Sequence, residues 1–219
     1  GEFWGMAHDG IFQYDESNAF DDDWNQLTPV FNASGGFDHY ELDGAVYTGN
    51  INKKKQGSTV LVGGDVNWLE NPDSQDGSID WTADKVYLGC LQPDFYGGLN
   101  STLAWKGLSL NVTFNYSFGN EIYNYAARSR SGYETTWASL PTDYVIAHSW
   151  KKPGDVAEYP IINPNRSVNK RSVSDFWIED GSYIRLSSAR LSYDLPDKWI
   201  RKVRMKSASL YCLGLNVTF

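Results

Sequence analysis

Long hydrophobic runs are missing from this 219-residue sequence. A helix that crosses a membrane needs about 20 consecutive apolar residues, and no stretch approaches that length, which excludes a helical membrane protein. Cysteine is scarce: Cys90 and Cys212 are too few for a disulfide-stapled scaffold. Glycine-rich phosphate loops, Cys-x-x-Cys pairs and Gly-x-Ser-x-Gly elbows are also absent. Because none of these motifs is present, the sequence predicts that the chain is not an enzyme.

Positive charge is in short supply over a long early segment. The formal net charge is −8, and residues 15–84 hold 14 acids against the three lysines Lys53, Lys54 and Lys55, a local net of −11. The other residues therefore sum to +3 (−8 minus −11). So acidic a chain repels a phosphate backbone, and the sequence predicts no nucleic-acid partner.

The pentapeptide LNVTF occurs twice, at 110–114 and at 215–219. Around each copy, apolar and polar residues alternate with period two, which predicts strands with one apolar and one polar face. In a soluble sandwich the apolar face would pack on a second sheet. In an outer-membrane barrel it would face lipid, and the polar face would line a watery lumen. The alternation alone leaves both architectures open.

Strands and turns can be placed from the same alternation. Gly97–Trp105 and Leu108–Phe118 flank the dipeptide Lys106–Gly107, which predicts a hairpin with a two-residue turn. A third strand is predicted at Tyr183–Leu195, where Pro196 ends it. A short basic turn (197–202) and a further strand from about Val203 complete this reading.

The connections between these strands are very unequal in length. One rim has turns of two and about six residues, whereas the other has segments of about 15–94 and 119–182. Loops this long are uncommon in compact domains and usually have a function. Short turns on one rim and long loops on the other are typical of outer-membrane barrels, so this asymmetry favours the barrel.

Four blocks resemble the C-terminal part of SusC-like TonB-dependent transporters, which are outer-membrane nutrient importers of Bacteroidetes. The blocks are GEFWGMAHDGIFQ (1–13), LQPDFYGGLNSTLAWKGLSLNVTFNYSFGNEIYN (91–124), WKKPGDVAEYP (150–160) and DFWIEDGSYIRLSSARLSYDLPDKWIRK (175–202). The resemblance implies an all-β chain of antiparallel strands that forms the C-terminal segment, residues 1–219, of a barrel of about 22 strands. The plug and the TonB-contacting segment would then lie outside this chain.

The same resemblance implies a set of partners and a location. A SusD-like surface lipoprotein would share the cargo, which would be an oligosaccharide or a peptide. The rest of the barrel and the outer-membrane lipid would surround the chain, and TonB–ExbB–ExbD would act through the upstream part. The alternative is a soluble, aromatic-rich β-sandwich that binds glycan. In that case the apolar faces of the strands would be buried.

Aromatic residues in the long segments are the candidate cargo contacts. Exposed rings beside carboxylates suit sugar stacking or peptide capture. The opposing interpretation is that such rings form small cores that keep long loops folded. The candidate substrate-binding residues are Trp24, Trp68, Trp81, Tyr133 and Trp137.

The sequence offers one candidate metal site and no other cofactor site. Asp73, Asp76 and Asp80 surround Gly77 in NPDSQDGSIDW, a pattern similar to an Asp-rich calcium loop. If Gly77 is the sixth position of that loop, however, its first and third positions are Pro72 and Ser74. These two residues weaken the case for calcium and favour a solvated acidic turn.

The last strand departs from the resembling family in length. From Val203 to Phe219 there are 17 residues without a turn signal, whereas the family has a strand, an outer loop and a final strand here. Because only the two ends of that excursion are recognisable, we expect a missing hairpin tip between about Leu210 and Leu213. The structure would then show a spatial break near Cys212.

The terminal Phe219 matches the aromatic residue on which outer-membrane proteins of this kind end, which implies an assembly signal. We expect that deleting Phe219, or replacing it by a charged residue, lowers the outer-membrane level of the full-length protein without touching a cargo contact. Quantitative immunoblots of membrane fractions check this expectation. Normal accumulation of the variant would contradict it.

Overall fold

The computed structural model describes residues 1–131, 140–163, 165–169, 173–201 and 205–217. Within these ranges the chain is an all-β protein with three short α-helices, none of them long and apolar enough to cross a membrane. The helices are α1 Tyr125–Ser129, α2 Asp143–His148 and α3 Asp197–Ile200. The strands are β1 Glu2–Gly5, β2 His8–Ile11, β3 Thr28–Phe31, β4 Phe37–Leu42, β5 Ala45–Tyr47, β6 Lys55–Gln56, β7 Thr59–Val60, β8 Val66–Trp68, β9 Val86–Cys90, β10 Phe95–Trp105, β11 Leu108–Phe118, β12 Glu121–Tyr123, β13 Ile178–Asp180, β14 Tyr183–Asp194 and β15 Ser209–Val217.

The chain divides into two compact units. The sheet unit comprises residues 1, 90–122 and 180–219, and the loop unit comprises residues 2–89 and 123–179. The long segments expected from the sequence, about 15–94 and 119–182, thus lie largely in the loop unit. Residues 2–14 also belong to it, which the sequence did not indicate.

The sheet unit is built on four antiparallel strands in the order β10–β11–β14–β15. Trp105 pairs with Leu108 across the two-residue turn, so the predicted hairpin is confirmed. Lys106 and Gly107 both have positive φ angles, 46° and 87°. Positive φ at both central residues defines the tight turn that suits the right-handed twist of hairpin strands.

Side-chain type separates the two faces of β10, β11 and β14. Leu103 pairs with Leu110, and Leu110 pairs with Leu191, so the three leucines share one face. Asn111 pairs with Arg190 on the other face, where the Thr102 hydroxyl donates to Asn111 Oδ1 at 2.8 Å. The predicted apolar face of β10, β11 and β14 is therefore confirmed.

The expected break near Cys212 is wrong. Strand β15 continues from Ser209 to Val217 and pairs residue by residue with β14, including Cys212 with Leu191. It begins at Ser209 rather than near Val203, which lies outside the described residues, as does Phe219. No turn is needed near Cys212, because the last strand is short and begins only at Ser209.

Leu215, the first residue of the second LNVTF, lies on the opposite face of the sheet from Leu110, the first residue of the first copy. Leu213 pairs with Arg190 and Leu215 with Ser188, so these leucines share the polar face. The Arg190 guanidinium lies 4.8 Å from the centre of the Tyr211 ring on that face. Period-two alternation fixes which residues share a face, whereas strand register decides which face that is. The two copies of LNVTF share their alternation, but their leucines lie on opposite faces of the sheet.

The loop unit has a hydrophobic core to which its two chain segments both contribute. From residues 2–89 come Met6, Phe12, Phe20, Leu61, Val66, Trp68 and Ile79, and from residues 123–179 comes Val168. The Trp68 indole N–H donates to the Val168 carbonyl at 2.8 Å, and the Val66 N–H donates to Asn169 Oδ1 at 3.0 Å. The two long segments thus fold as one body.

A buried ion pair also joins the two segments. The Asp65 carboxylate is fully buried and accepts hydrogen bonds from the Arg166 guanidinium, from Asn169 Nδ2 at 3.1 Å and from the Val62 N–H at 2.9 Å. A buried carboxylate is tolerated only when its oxygens are satisfied in this way.

Gly77 provides a test of the loop-unit packing. It is buried with φ at +75°, and a Cβ atom there would overlap the Trp24 ring. We expect Gly77→Ala to destabilise the loop unit by about 2–4 kcal/mol, because left-handed strain and overpacking add. Urea unfolding followed by tryptophan fluorescence measures the loss. Gly35→Ala is the matched control, since Gly35 has φ at +81° and no atom within 4 Å of its Cβ position. Equal losses in the two variants would contradict the packing argument.

Candidate functional site

The loop unit contains a cleft of about 500 Å³. Its lining comes from β2 and the residues that follow it, from the start of β3, from β8 and from the loop at residues 156 and 157. The lining residues are Asp9, Gly10, Ile11, Phe12, Gln13, Tyr14, Ser17, Gln26, Leu27, Thr28, Pro29, Asn67, Val156 and Ala157. Since backbone, amide, hydroxyl and apolar groups all line it, the cleft suits a polar ligand with apolar substituents.

A bulge in β2 shapes the cleft floor. His8 pairs with Trp68 and Ile11 pairs with Val66, so two residues, Asp9 and Gly10, oppose Asn67 alone. Gly10 has φ at +71°, which a residue without a side chain adopts without strain. Bulges of this kind redirect the strand and are common beside functional sites.

A line of hydrogen bonds fixes the polar wall. The Lys54 ammonium donates to Asn67 Oδ1 at 3.1 Å, Asn67 Nδ2 donates to Gln26 Oε1 at 3.3 Å, and Gln26 Nε2 donates to the Ser17 carbonyl at 3.0 Å. Each amide therefore has its oxygen and nitrogen oriented by a partner. The wall is arranged before any ligand arrives.

Lys54 is the buried end of that line. Its ammonium also donates to the Trp68 carbonyl at 2.9 Å and lies 4.8 Å from the centre of the Phe20 ring. Burial lowers the pKa of Lys54, while the negative charges of Glu70, Asp9 and Asp84 act to raise it. The cation is thus held by hydrogen bonds and carboxylates rather than by water.

Aromatic rings continue from the cleft along the loop unit. The Tyr14 ring lies 4.3 Å from Phe31, centre to centre, Phe31 lies 6.4 Å from Phe37, and Phe37 lies 4.7 Å from Tyr40. Tyr14 lines the cleft, and Phe37 is exposed. This run offers stacking surface beside the polar wall.

A second cleft of about 560 Å³ lies around α2 and the loop after it. Basic and acidic side chains both line it, among them Lys151 and Asp155. Tyr159 follows the lining residue Glu158, and burial, and then the Glu158 carboxylate, raises its pKa to about 12. Val156 and Ala157 line both clefts. The lining residues of this second cleft are Ala147, His148, Ser149, Lys151, Lys152, Asp155, Val156, Ala157 and Glu158.

Of the predicted cargo residues, the three that the structure describes, Trp24, Trp68 and Trp81, do not line the cleft. Trp68 is 1% exposed and packs in the core, which favours the interpretation that this ring keeps the long loops folded. Trp24 and Trp81 are partly buried and pack against the same core. Tyr133 and Trp137 lie outside the described residues. Sequence reasoning missed Lys54, Gln26 and Asn67, because the hydrogen bonds that bring them to the cleft join residues far apart in the sequence.

The three candidate calcium ligands do not converge. Asp76 Oδ1 accepts the Ser78 N–H at 2.8 Å, and Asp80 Oδ1 accepts those of Thr82 and Ala83 at 2.7 and 3.1 Å. These last two bonds lower the pKa of Asp80. The described part of the chain has no group of three or more side chains placed to hold a metal, Asp73 included. Asp76 and Asp80 act here as turn-capping groups, which favours the solvated acidic turn.

Comparison with known proteins gives the chain relatives. No family model matches the sequence. TonB-dependent receptor P39 of Formosa agariphila is 32% identical over 204 residues, which are 93% of this chain and 19% of the receptor. The chain is homologous to a segment of TonB-dependent receptors. Receptor P3 of the same organism is 28% identical over 194 residues, covering 84% of this chain and 17% of that receptor. The chain thus spans about a fifth of the length of these receptors.

Solved structures support the fold of this receptor segment. A structure of the RagAB peptide transporter covers 99% of the chain with a TM-score of 0.57 and 16% identity, and the chain covers 19% of it. A structure of the RagAB peptide importer in its open-open state gives a TM-score of 0.53 at 18% identity, with 99% and 18% covered. Similarity at this identity concerns the fold alone.

Asn67 provides a test of the cleft wall in this receptor segment. We expect Asn67→Ala to destabilise the loop unit by about 1–3 kcal/mol, because the buried Lys54 ammonium loses an acceptor. Gln26→Ala is the control, since Gln26 is exposed and its loss leaves no buried charge unpaired, so we expect about 0.5 kcal/mol or less. Urea unfolding measures both. Equal effects would show that the Lys54 bond does not hold the wall.

Proposed function

We propose that this chain is part of a TonB-dependent outer-membrane importer that takes up oligosaccharide or peptide nutrients together with a SusD-like surface lipoprotein. Homology to TonB-dependent receptors over 93% of the chain carries the proposal. The fold neighbours support it, because they are described as a peptide transporter and a peptide importer. They favour peptide as the cargo.

The exposed apolar face of the sheet unit supports an outer-membrane location. Leu99 is 60% exposed and Leu103 is 64% exposed, on the face that also carries Leu110 and Leu191. A glycan-binding sandwich would cover such a face with a second sheet. A barrel would instead turn it to lipid and keep the polar face toward the lumen. The exposed leucines therefore favour the importer over the sandwich.

The other partners follow from the importer proposal. TonB–ExbB–ExbD would supply energy through upstream parts of the full-length protein, and the remaining strands of the barrel would pair with the edges of this sheet. The cleft in the loop unit is the proposed cargo contact, with the aromatic run of Tyr14, Phe31 and Phe37 beside it. No catalytic step is assigned to any residue.

Disruption of the full-length gene tests the importer. Cells without it should lose uptake of the cargo, and cells with the gene but without TonB should lose it equally. The full-length protein should fractionate with the outer membrane and purify with a surface lipoprotein. Uptake of the cargo that persists in cells without TonB would contradict the proposal.

A pair of charge substitutions tests which face of the sheet meets lipid. Leu99 and Asn100 are neighbours near the middle of β10 and lie on opposite faces. We expect Leu99→Arg to cost about 2–4 kcal/mol, because an arginine at mid-bilayer depth on the lipid face loses its hydration. Asn100→Arg should cost far less. Outer-membrane abundance of each full-length variant, and its unfolding in liposomes, provide the measurement. The reverse order would place the polar face toward lipid.

A further inference from the structure

The leucine face of the sheet unit ends in aromatic side chains at the rim that carries the hairpin turn. Trp105 closes the row that Leu99 and Leu103 begin on β10, and it is 70% exposed. Trp105 pairs with Leu108, and Leu108 pairs with Tyr193 on β14, so the three side chains stand side by side on one face. Tryptophan and tyrosine are enriched where a membrane meets water, because their rings have an apolar body and a polar tip. This row has the composition of such a boundary.

The connection from β14 to β15 brings a second exposed tryptophan to the same rim. Trp199 lies in α3 and is 61% exposed, whereas the next residue, Ile200, is buried. The N–H group of Asp194, the last residue of β14, donates to the Gly107 carbonyl of the hairpin turn at 2.8 Å. The two connections at this rim of the sheet therefore lie next to each other, and each has an exposed tryptophan beside it.

Basic side chains are concentrated at this rim of an acidic chain. Residues 105–108 and 194–209 hold six lysines and arginines against two aspartates, a net of +4 (6 minus 2), whereas the whole chain has −8. The Arg201 guanidinium lies 3.9 Å from the Asp197 carboxylate, and both side chains are largely exposed. A pair so open to water neutralises little of the charge. We call the exposed tryptophans and basic side chains of this rim the basic rim: Trp105, Lys106, Lys198, Trp199, Arg201 and Lys206.

Lys106 combines charge and ring within the basic rim. Its ammonium lies 4.9 Å from the centre of the Trp105 ring, a distance at which the ring attracts a cation. The same ring ends the leucine face, so positive charge is held directly beside an exposed apolar surface. A ligand that satisfies both surfaces needs an anionic group next to apolar chains.

We propose that the basic rim binds anionic phospholipids, with their phosphate groups at the basic side chains and their acyl chains against the leucine face. A phosphodiester joined to apolar chains matches the two surfaces that meet at this rim, whereas a free anion would use only one of them. Two-residue turns are typical of the periplasmic rim of outer-membrane barrels, so the lipids are those of the periplasmic leaflet. The inference rests on the outer-membrane importer proposed above and names a lipid partner for its sheet unit.

Neutralising the basic rim tests the inference. The rim variant carries Lys106→Gln, Lys198→Gln, Arg201→Gln and Lys206→Gln in the full-length transporter, which is purified with its lipoprotein. Dioleoyl phosphatidylglycerol is titrated into the delipidated complex in a nonionic detergent, and native mass spectrometry counts the lipids that are retained. We expect the first phosphatidylglycerol to bind at least tenfold more weakly than to wild type, because each basic side chain near an anionic membrane surface strengthens binding about fivefold.

Four exposed lysines of the loop unit provide a control with the same change of charge. The control variant carries Lys53→Gln, Lys55→Gln, Lys151→Gln and Lys152→Gln. We expect it to bind phosphatidylglycerol within about twofold of wild type, since exposed lysines outside the rim add little to a contact that salt screens. Equal weakening in the two variants would show that net charge attracts the lipid, and it would overturn the inference.

A comparison of two lipids covers the case in which the rim variant disturbs the fold. The unaltered complex should bind phosphatidylglycerol about tenfold more tightly than dioleoyl phosphatidylcholine, whose choline cancels the phosphate charge. Equal binding of the two lipids overturns the inference, as does displacement of phosphatidylglycerol by millimolar inorganic phosphate. A rim variant that loses a co-purifying protein but keeps its phosphatidylglycerol marks a protein-docking surface and also overturns it. Failure of the importer itself would show separately, as uptake that does not require TonB.

Discussion

The contact of Trp68 with Val168 is the interaction on which the loop unit depends. These residues lie 100 positions apart, and the hydrogen bond from the indole N–H to the Val168 carbonyl fixes the ring while its faces are covered by the core. Burying an indole is favourable only if its N–H finds a partner, so the second segment supplies both apolar cover and an acceptor. Without residues 165–169, the first segment would expose the ring and lose the acceptor together. Long loops need such a shared core, because neither segment alone buries enough apolar surface to offset the entropy of ordering it.

The polar groups of the cleft follow from the same packing. The Asp65 carboxylate can be buried because Arg166 and Asn169 of the second segment donate hydrogen bonds to it. The Asp65 backbone carbonyl in turn accepts the Phe12 N–H at 2.9 Å. Phe12 and its neighbours then form the cleft floor. Lys54 is buried beside the same core and orients Asn67 and Gln26. The amides of the cleft wall are thus oriented through hydrogen bonds to a buried charge that is itself satisfied, and these bonds fix the shape of the wall.

Local patterns in the sequence predicted the sheet unit well and the site poorly. The hairpin of β10 and β11 follows from alternation on both sides of Lys106–Gly107, and β14 ends one residue before the predicted limit at Leu195. The face of β15 was beyond reach, because alternation is unchanged when the register slips by one residue. The sequence predicts Trp68 as a cargo contact, because nothing in its position within a long segment indicates that it packs with Val168, 100 positions later. Asn67 and Gln26 gave no signal at all, since an amide becomes a site residue only through partners that folding brings to it.

The two units differ in whether their apolar side chains are buried or exposed. In the loop unit, aromatic and aliphatic side chains converge on an interior, and the cleft is lined by residues that this interior holds in place. In β10, β11 and β14 of the sheet unit, leucines such as Leu99 and Leu103 stay exposed on one face, and short polar side chains bond to one another on the other, as Thr102 and Asn111 do. Water alone does not account for the second pattern, because exposed rows of leucine are unfavourable in it. The proposed importer would turn this leucine face to lipid, which would account for its exposure. The cleft-lining residues of the loop unit come from both long segments, so the shape of the cleft depends on the two segments folding together.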